Sequence, residues 1–426
     1  MNSTQNKKLE QVTDETLIVG VDIGSSAHFA RAMDWKGVEF TRRAFKFSNT
    51  REGFEKFLEW TDSLKSKSGK TKILVGCEPT GCYWLTFQKF LHDRKIELVT
   101  VNPHHVHTVK ELDDNSPEKD DLKDPKVIAG LVREGRFVSA YLPEGIYAEI
   151  REAYVCKEQL MKQHVRLSNQ IQGLLQKYFP EYLDVFNDFD TAGGLMVLKR
   201  APFPEDIIKL GAEGINRIWR EAKLRAVGMK KAEAMVAAAV NSVGLKGGEA
   251  AKYELQCLIE DYETKQMQLQ RVRELLKKYV MQVPNAEKLL AICGVGPETV
   301  EGFIAEVGDV GRFTDPKQIQ KLAGLEIVKQ SSGKKKGKPR ISKRGRCRLR
   351  RIMYMSAKSL IMHNQEFYTI FTNLRTRDVR PLKSMQAMIA TSCKAIRVFY
   401  SILKNGSDYD PAKLLGDIVY PSPMAE

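Results

Sequence analysis

Cysteine is scarce and scattered in this chain. The seven cysteines (Cys77, Cys82, Cys156, Cys257, Cys293, Cys347 and Cys393) are odd in number and form no C-x-x-C pair. That argues against a disulfide framework and against a zinc ribbon, and leaves them as small buried residues in a reducing compartment. Long apolar runs are missing as well. No stretch approaches the ~20 residues needed to span a bilayer. The opening MNSTQNKKLEQVTDET lacks the apolar core of a signal peptide, so a cytoplasmic protein with no membrane partner is expected.

Acid is in deficit. Asp and Glu number 53 against 68 Lys and Arg, a formal charge of +15, which points to a polyanionic partner. The 42% hydrophobic and 28% charged residues describe a globular chain, and 426 residues suggest two or three domains. The charge is unevenly spread. Ser331 to Arg351 holds eleven Lys or Arg and no acid, whereas 113–124 holds Asp113, Asp114, Glu118, Asp120, Asp121 and Asp124 against Lys119 and Lys123. Basic surface neutralises backbone phosphates and clustered carboxylates hold divalent cations, the two needs of a metal-using phosphodiester enzyme.

Over the first ~140 residues, strand and helix patterns alternate. Leu17–Val21 is a short apolar run ending at Asp22, and 73–77 is a second one leading into Glu78. Strands are also expected at 29–33, 38–47 and 96–101, with helices over 51–64, around Leu85–Leu91 and from Pro125. The order of three strands, then helix, strand, helix, strand, helix is an α/β layer arrangement. Two long helical patterns follow, 148–178 and 250–279, separated by ~70 residues. They suggest an antiparallel hairpin or coiled coil capped by a small helical insert. Beyond Pro284, apolar helix, Gly294-Val295-Gly296 and a second apolar helix form a helix-hairpin-helix signature. Gly294 and Gly296 either let backbone N–H groups approach a phosphate or cap a plain αα-corner. The chain then stays helical to about Lys404, and 407–426 reads as a flexible tail.

Carboxylates at strand ends and at a helix start can converge on one edge of an open sheet. Asp22, Glu78, Asp121 and Asp124 meet that description, and hard oxygen ligands suit Mg²⁺ or Mn²⁺. Each has a plainer reading. Asp22 could be a turn residue, Asp121 part of a solvated acidic loop, and Asp124 an N-cap with Pro125 at N1. Glu78, after a buried strand and before Pro79-Thr80-Gly81, is the hardest to explain as idle. His104, His105 and His107 lack a partner spacing for zinc and read as loop or polar-surface residues.

The basic segment Ser331-Ser332-Gly333 through Gly345 reads as a loop that grips phosphate through Lys334, Lys335, Lys336, Lys338, Arg340, Lys343, Arg344 and Arg346. Its sharper reading makes one serine a nucleophile, since dense positive charge would stabilise the reacting phosphate. No His/Asp partner for a hydrolytic triad is evident.

Taken as an ordered set, VGVDIGSSAHF, CEPTGCYW, VNPHHV, NSPEKDDLKDPKVIAGL, CGVGPETVEGFIAEVGDVGRF, KLAGLEIVKQSSGKKKGKPRISKRGRCRLRR and RPLKSMQAMIA resemble the IS-one-ten family of insertion-sequence transposases, the Piv/DEDD group. The resemblance spans nearly the whole chain. It implies an RNase-H-like (RuvC-like) DEDD domain over 1–145, coiled-coil helices with a helical insert over 146–285, and a helical transposase domain with a catalytic serine loop over 286–406. Asp22, Glu78, Asp121 and Asp124 would be the metal carboxylates and Ser332 the nucleophile, with Ser331 adjacent. It further implies a covalent serine–DNA intermediate, donor and target DNA as substrates, a noncoding bridge RNA as guide, a dimer or tetramer, and a prokaryotic, nucleoid-associated setting. Pro125 departs from the family, which commonly has a small residue there.

Three rival readings share some of these features. A RuvC-like metal-dependent endonuclease such as a junction resolvase would cut with metal-activated water and form no protein–DNA adduct. A kinase of the actin-like ATPase fold would explain VDIGSS but not eleven cations in one loop. An architectural DNA binder would tolerate alanine at Asp22 or Glu78.

Overall fold

The computed structural model describes residues 4–79, 81–113, 123–328, 331–332, 335–337 and 339–416. The chain divides into two compact units, Met1–Leu142 and Pro143–Glu426.

In the first unit a short helix α1 (Thr4–Leu9) precedes β1 (Thr16–Ile23), β2 (Ala27–Met33), β3 (Phe45–Ser48), α2 (Arg51–Ser68), β4 (Lys72–Cys77), α3 (Tyr83–His92), β5 (Glu97–Val101), α4 (Pro103–Asp113), α5 (Asp124–Arg133) and β6 (Phe137–Ser139). The six strands lie in the order β3-β2-β1-β4-β5-β6. β1 pairs antiparallel with β2 and parallel with β4, and β5 is parallel to β4 and antiparallel to β6. Side chains alternate across this sheet. Leu17, Val19 and Val21 face an aromatic core with Phe47, Phe54, Phe57 and Phe87. Ile18 and Leu74 face the other way, onto Ile128, Leu131 and Val132 of α5.

Two glycines set how closely α5 approaches. Gly20 and Gly76 are ladder partners on adjacent strands. A Cβ on Gly20 would collide with the Pro125 carbonyl and the Ala129 nitrogen, and one on Gly76 with the Val132 side chain. Bare backbone at these two points lets the helix rest directly on the sheet.

The strand expected over 38–47 exists only at its end. Glu39 makes an isolated bridge to Met33, and regular pairing resumes at Phe45. The intervening Thr41-Arg42-Arg43 has no apolar alternation to hold a strand on the sheet. The histidine segment, expected as loop or polar surface, is helical, with His104 and His107 exposed on that helix as the polar-surface reading has it. Asn102 accepts from the His104 N–H (3.0 Å) and Pro103 opens α4, an N-cap followed by Pro at N1.

The second unit opens with α6 (Gly145–Tyr178), whose insert helices are α7 (Tyr182–Val185), α8 (Ala192–Arg200), α9 (Pro204–Glu221) and α10 (Met229–Val240); α11 (Glu249–Val280) returns along α6. The insert has its own core around Tyr182, Phe186, Phe203 and Trp219, with the Trp219 indole N–H donating to the Gly193 carbonyl at 2.9 Å. Then come α12 (Ala286–Leu290), α13 (Pro297–Val307), α14 (Pro316–Leu322), the two-residue strands β7 (Ile327–Val328), β8 (Ser331–Ser332), β9 (Lys335–Lys336) and β10 (Arg340–Ile341), and helices α15 (Cys347–His363), α16 (Gln365–Thr376), α17 (Ser384–Asn405) and α18 (Pro411–Leu415).

Ile150 and Tyr154 of α6 and Leu276 of α11 share one core with Phe303 and Phe399, so packing is continuous across the boundary expected at 285. The expected tail also needs correction over 411–415. There Asp410 accepts from the Ala412 and Lys413 N–H groups, and Leu414 and Leu415 are buried; 417–426 lie outside the described residues. The cysteines are all free, as expected, but Cys82, Cys156, Cys293 and Cys347 are exposed rather than buried. Among the described residues no helix is long and apolar enough to cross a membrane.

Candidate active site

The alternation of β1 and β4 decides where the acids go. Ile18, Gly20 and Asp22 share one face of β1, and Leu74 and Gly76 the same face of β4. Asp22 and Glu78 therefore follow one step beyond the last ladder pair, Val21–Cys77, at the carboxyl ends of two parallel strands. Because α5 rests on Gly20, its first residue Asp124 comes to that same end. Asp22, Glu78 and Asp124 line one cavity of about 660 Å³, with Ser25, Ser26, Lys46, His107 and Lys110 also on its wall. Asp121 lies outside the described residues.

Asp124 is not the helix cap that the sequence allows. The cap position is Lys123, α5 begins at Asp124, and the Asp124 carboxylate forms an ion pair with Lys110 of α4. Burial pushes the Glu78 carboxyl above its ordinary range, the Asp124 charge pushes it further, and Lys110 partly offsets both. Such crowding of like charge at partly buried oxygens favours a bound cation, and the donors are the hard oxygens that Mg²⁺ or Mn²⁺ take. In donor type the residues fit a divalent metal. Among the described residues no three acidic, His or Cys groups are gathered at a single ligating point.

The loop after Asp22 is held from below. The Gly24 N–H donates to His28 Nδ1 at 3.2 Å, and His28 is fully buried among Phe47, Phe54 and Phe87. Burial lowers its pKa. Lys46, His107 and Lys110 are the cavity residues that sequence reasoning missed. The available signal was the Asn102-Pro103 helix start, which places His107 and Lys110 three apart on one helical face.

The serine segment is a nested hairpin rather than a loop. Ser331 pairs with Lys336 and Ser332 with Lys335, while Val328 pairs with Arg340 and Ile327 with Ile341. Its base is strapped to the α14–α15 junction: the Ser342 N–H donates to the Glu326 carbonyl (2.7 Å), Lys343 to Gly324 (3.0 Å) and Arg346 to Leu322 (2.7 Å). Arg340, Lys343 and Arg344 are exposed. The Arg346 guanidinium turns inward to the Glu306 backbone and carboxylate. Lys334 and Lys338 lie outside the described residues.

At the helix-hairpin-helix signature the geometry supports the packing reading of Gly294. Its φ is +89°, and a Cβ there would press on the Leu360 and Ser359 backbone of α15. Gly296 is exposed and precedes α13. The first turns of α13 carry Glu298 and the buried Glu301, both bound by buried Lys157 of α6 at 2.5 and 2.7 Å.

Two family models match the chain. The DEDD IS110 model, described as a transposase, matches residues 19–180, and the model described as transposase IS116/IS110/IS902 family matches residues 286–371. The first covers the carboxylate unit and α6, the second the serine hairpin and its flanking helices. Among similar proteins are an uncharacterized 44.8 kDa protein of insertion element IS116 from Streptomyces clavuligerus (26% identical; 69% of this chain, 73% of that one) and the transposase for insertion sequence element IS1111A from Coxiella burnetii (24%; 84% and 81%). An uncharacterized 43.6 kDa protein of insertion element IS110 from Streptomyces coelicolor is 22% identical over 93% of this chain and 96% of its own.

Proposed function

Since the chain belongs to the IS110/IS116 family of insertion-sequence transposases, we propose that it cuts and rejoins donor and target DNA through a carboxylate metal site and a serine nucleophile. The observation that carries this reading is the convergence of Asp22, Glu78 and Asp124 on one cavity at the carboxyl ends of β1 and β4. The strand order, with three antiparallel strands followed by two parallel ones, supports an RNase-H-like fold for this unit.

Asp22, Glu78 and Asp124, with Asp121, would hold Mg²⁺ or Mn²⁺. Such an ion, when bound, neutralises charge developing on a phosphodiester. The chain's own residues do the rest. The Gly20–Gly76 contact fixes Asp124 against the strand ends, and His28 holds the turn after Asp22. Exposed Arg340, Lys343 and Arg344 grip the DNA backbone beside Ser332. Ser332 Oγ gives up its proton and forms an ester bond to phosphorus as one DNA P–O bond breaks, and the freed deoxyribose oxygen leaves as a hydroxyl that takes up a proton. The bond energy is retained, so the reverse exchange can religate strands. A noncoding bridge RNA as guide, and a homo-oligomer that pairs the carboxylates of one copy with the serine of another, complete the proposal.

A trap for covalent protein–DNA adducts tests it, using protein expressed with its native flanking DNA. An adduct is expected in wild type and in Ser331→Ala and absent in Ser332→Ala. Loss only in Ser331→Ala would move the nucleophile by one residue. Cleavage with no adduct in any version would make the protein a RuvC-like endonuclease that uses water, the second reading that the carboxylate cavity favours.

A further inference from the structure

We propose that Lys110 is the resident cation of the carboxylate cavity, holding Asp124 until a divalent ion displaces it and so setting how much free metal the site requires. This rests on the metal-site reading of Asp22, Glu78 and Asp124 given above.

Lys110 projects from α4, whose Val106, one helical turn earlier, is buried against the face that α5 also covers. That anchor fixes the side of α4 that meets the cavity, and Lys110 lines the cavity while pairing with Asp124. The pair is largely shielded, the Lys110 side chain being 28% and the Asp124 side chain 18% exposed, so solvent and salt screen it less than a surface bridge. Lys46, the other lysine on the cavity wall among the described residues, is exposed and rides over the Phe29 ring at 5.7 Å.

An ammonium and a divalent ion compete for the same carboxylate oxygen. The ammonium carries one charge and only hydrogen bonds, whereas the metal carries two and bonds oxygen directly. Lysine therefore keeps Asp124 in place when metal is scarce and yields when it is abundant. The displaced ammonium remains on the wall of the cavity that a phosphodiester must enter.

Mn²⁺ binding to the full-length protein, followed by electron paramagnetic resonance of the free ion, tests this. Lys110→Met is expected to bind Mn²⁺ about tenfold tighter than wild type, since one competing ion pair is gone. Lys110→Gln, which keeps a polar side chain, should do the same, and Lys110→Arg should bind as wild type does. A lysine that merely supported the fold would weaken metal binding when removed. Unchanged or weaker binding in folded Lys110→Met or Lys110→Gln would overturn the proposal. Glu78→Gln separates the two ideas: if it leaves Mn²⁺ binding untouched, the metal-site reading itself has failed, whatever the lysine variants do.

Discussion

Burial and the Asp124 charge raise the Glu78 pKa, and the sign of that shift has a consequence for stability. A carboxyl whose folded pKa is raised contributes stability below its ordinary value. That stability is lost as pH rises through the raised value. At neutral pH in metal-free buffer, ionised Glu78 is therefore a liability. Glu78→Gln should have a higher thermal midpoint than wild type under those conditions, with the gap closing as pH falls below the ordinary glutamate range. Adding Mn²⁺ should raise the wild-type midpoint and move the variant little. The placement of Asp22 and Glu78 at neighbouring strand ends was legible in the sequence because each ends an apolar run of the kind buried parallel strands require. The pairing of Lys110 with Asp124 was not legible, although the helix start that carries Lys110 was. A lone lysine in a segment of low hydrophobicity shows no sign of the carboxylate it meets, 14 residues on, in the folded chain.

Among elements, α5 matters most. Its docking uses the Gly20 and Gly76 backbone, so a side chain at either point must push the helix off the sheet or bend the strand. Gly20→Val is expected to destabilise the protein by about 3 kcal/mol in denaturant unfolding, the cost of overpacking against rigid backbone. Residual folded protein should show faster amide exchange at the start of α5 and impaired DNA rearrangement. The apolar stripe of α5 and the long helices α6 and α11 follow from helical periodicity, which persists over many residues. β6 has three residues and β7–β10 two each, too short for any alternation to register. The sign of the serine hairpin was instead its spacing, two residues between Ser332 and Lys335 with Gly333 among them, a hairpin signal easily hidden inside a lysine run.

For the whole molecule the surplus of +15 is the governing quantity. Binding to any duplex should weaken steeply with salt, because each neutralised phosphate releases counterions. Replacing exposed Arg340, Lys343 and Arg344 together by alanine should lower the slope of log affinity against log salt by about 2 to 3, at roughly 0.9 for each phosphate no longer neutralised. Filter binding across a salt series measures this. An unchanged slope would mean that the hairpin base does not touch the backbone. Replacing Arg346 in the same assay should change the slope little, since its guanidinium is committed to Glu306.

The glycine ladder pair has a genetic corollary. In a random-mutagenesis screen for inactive variants, Gly20 and Gly76 should be recovered as often as the carboxylates, although they carry no reactive group. Almost any base change that puts a side chain there displaces the start of α5, and with it Asp124, some distance away. Second-site suppressors of Gly76 lesions would then map to the buried face of α5, where trimming Val132 reopens the space, and not to the cavity, whereas Gly20 lesions, which meet backbone atoms, should have no such side-chain suppressor.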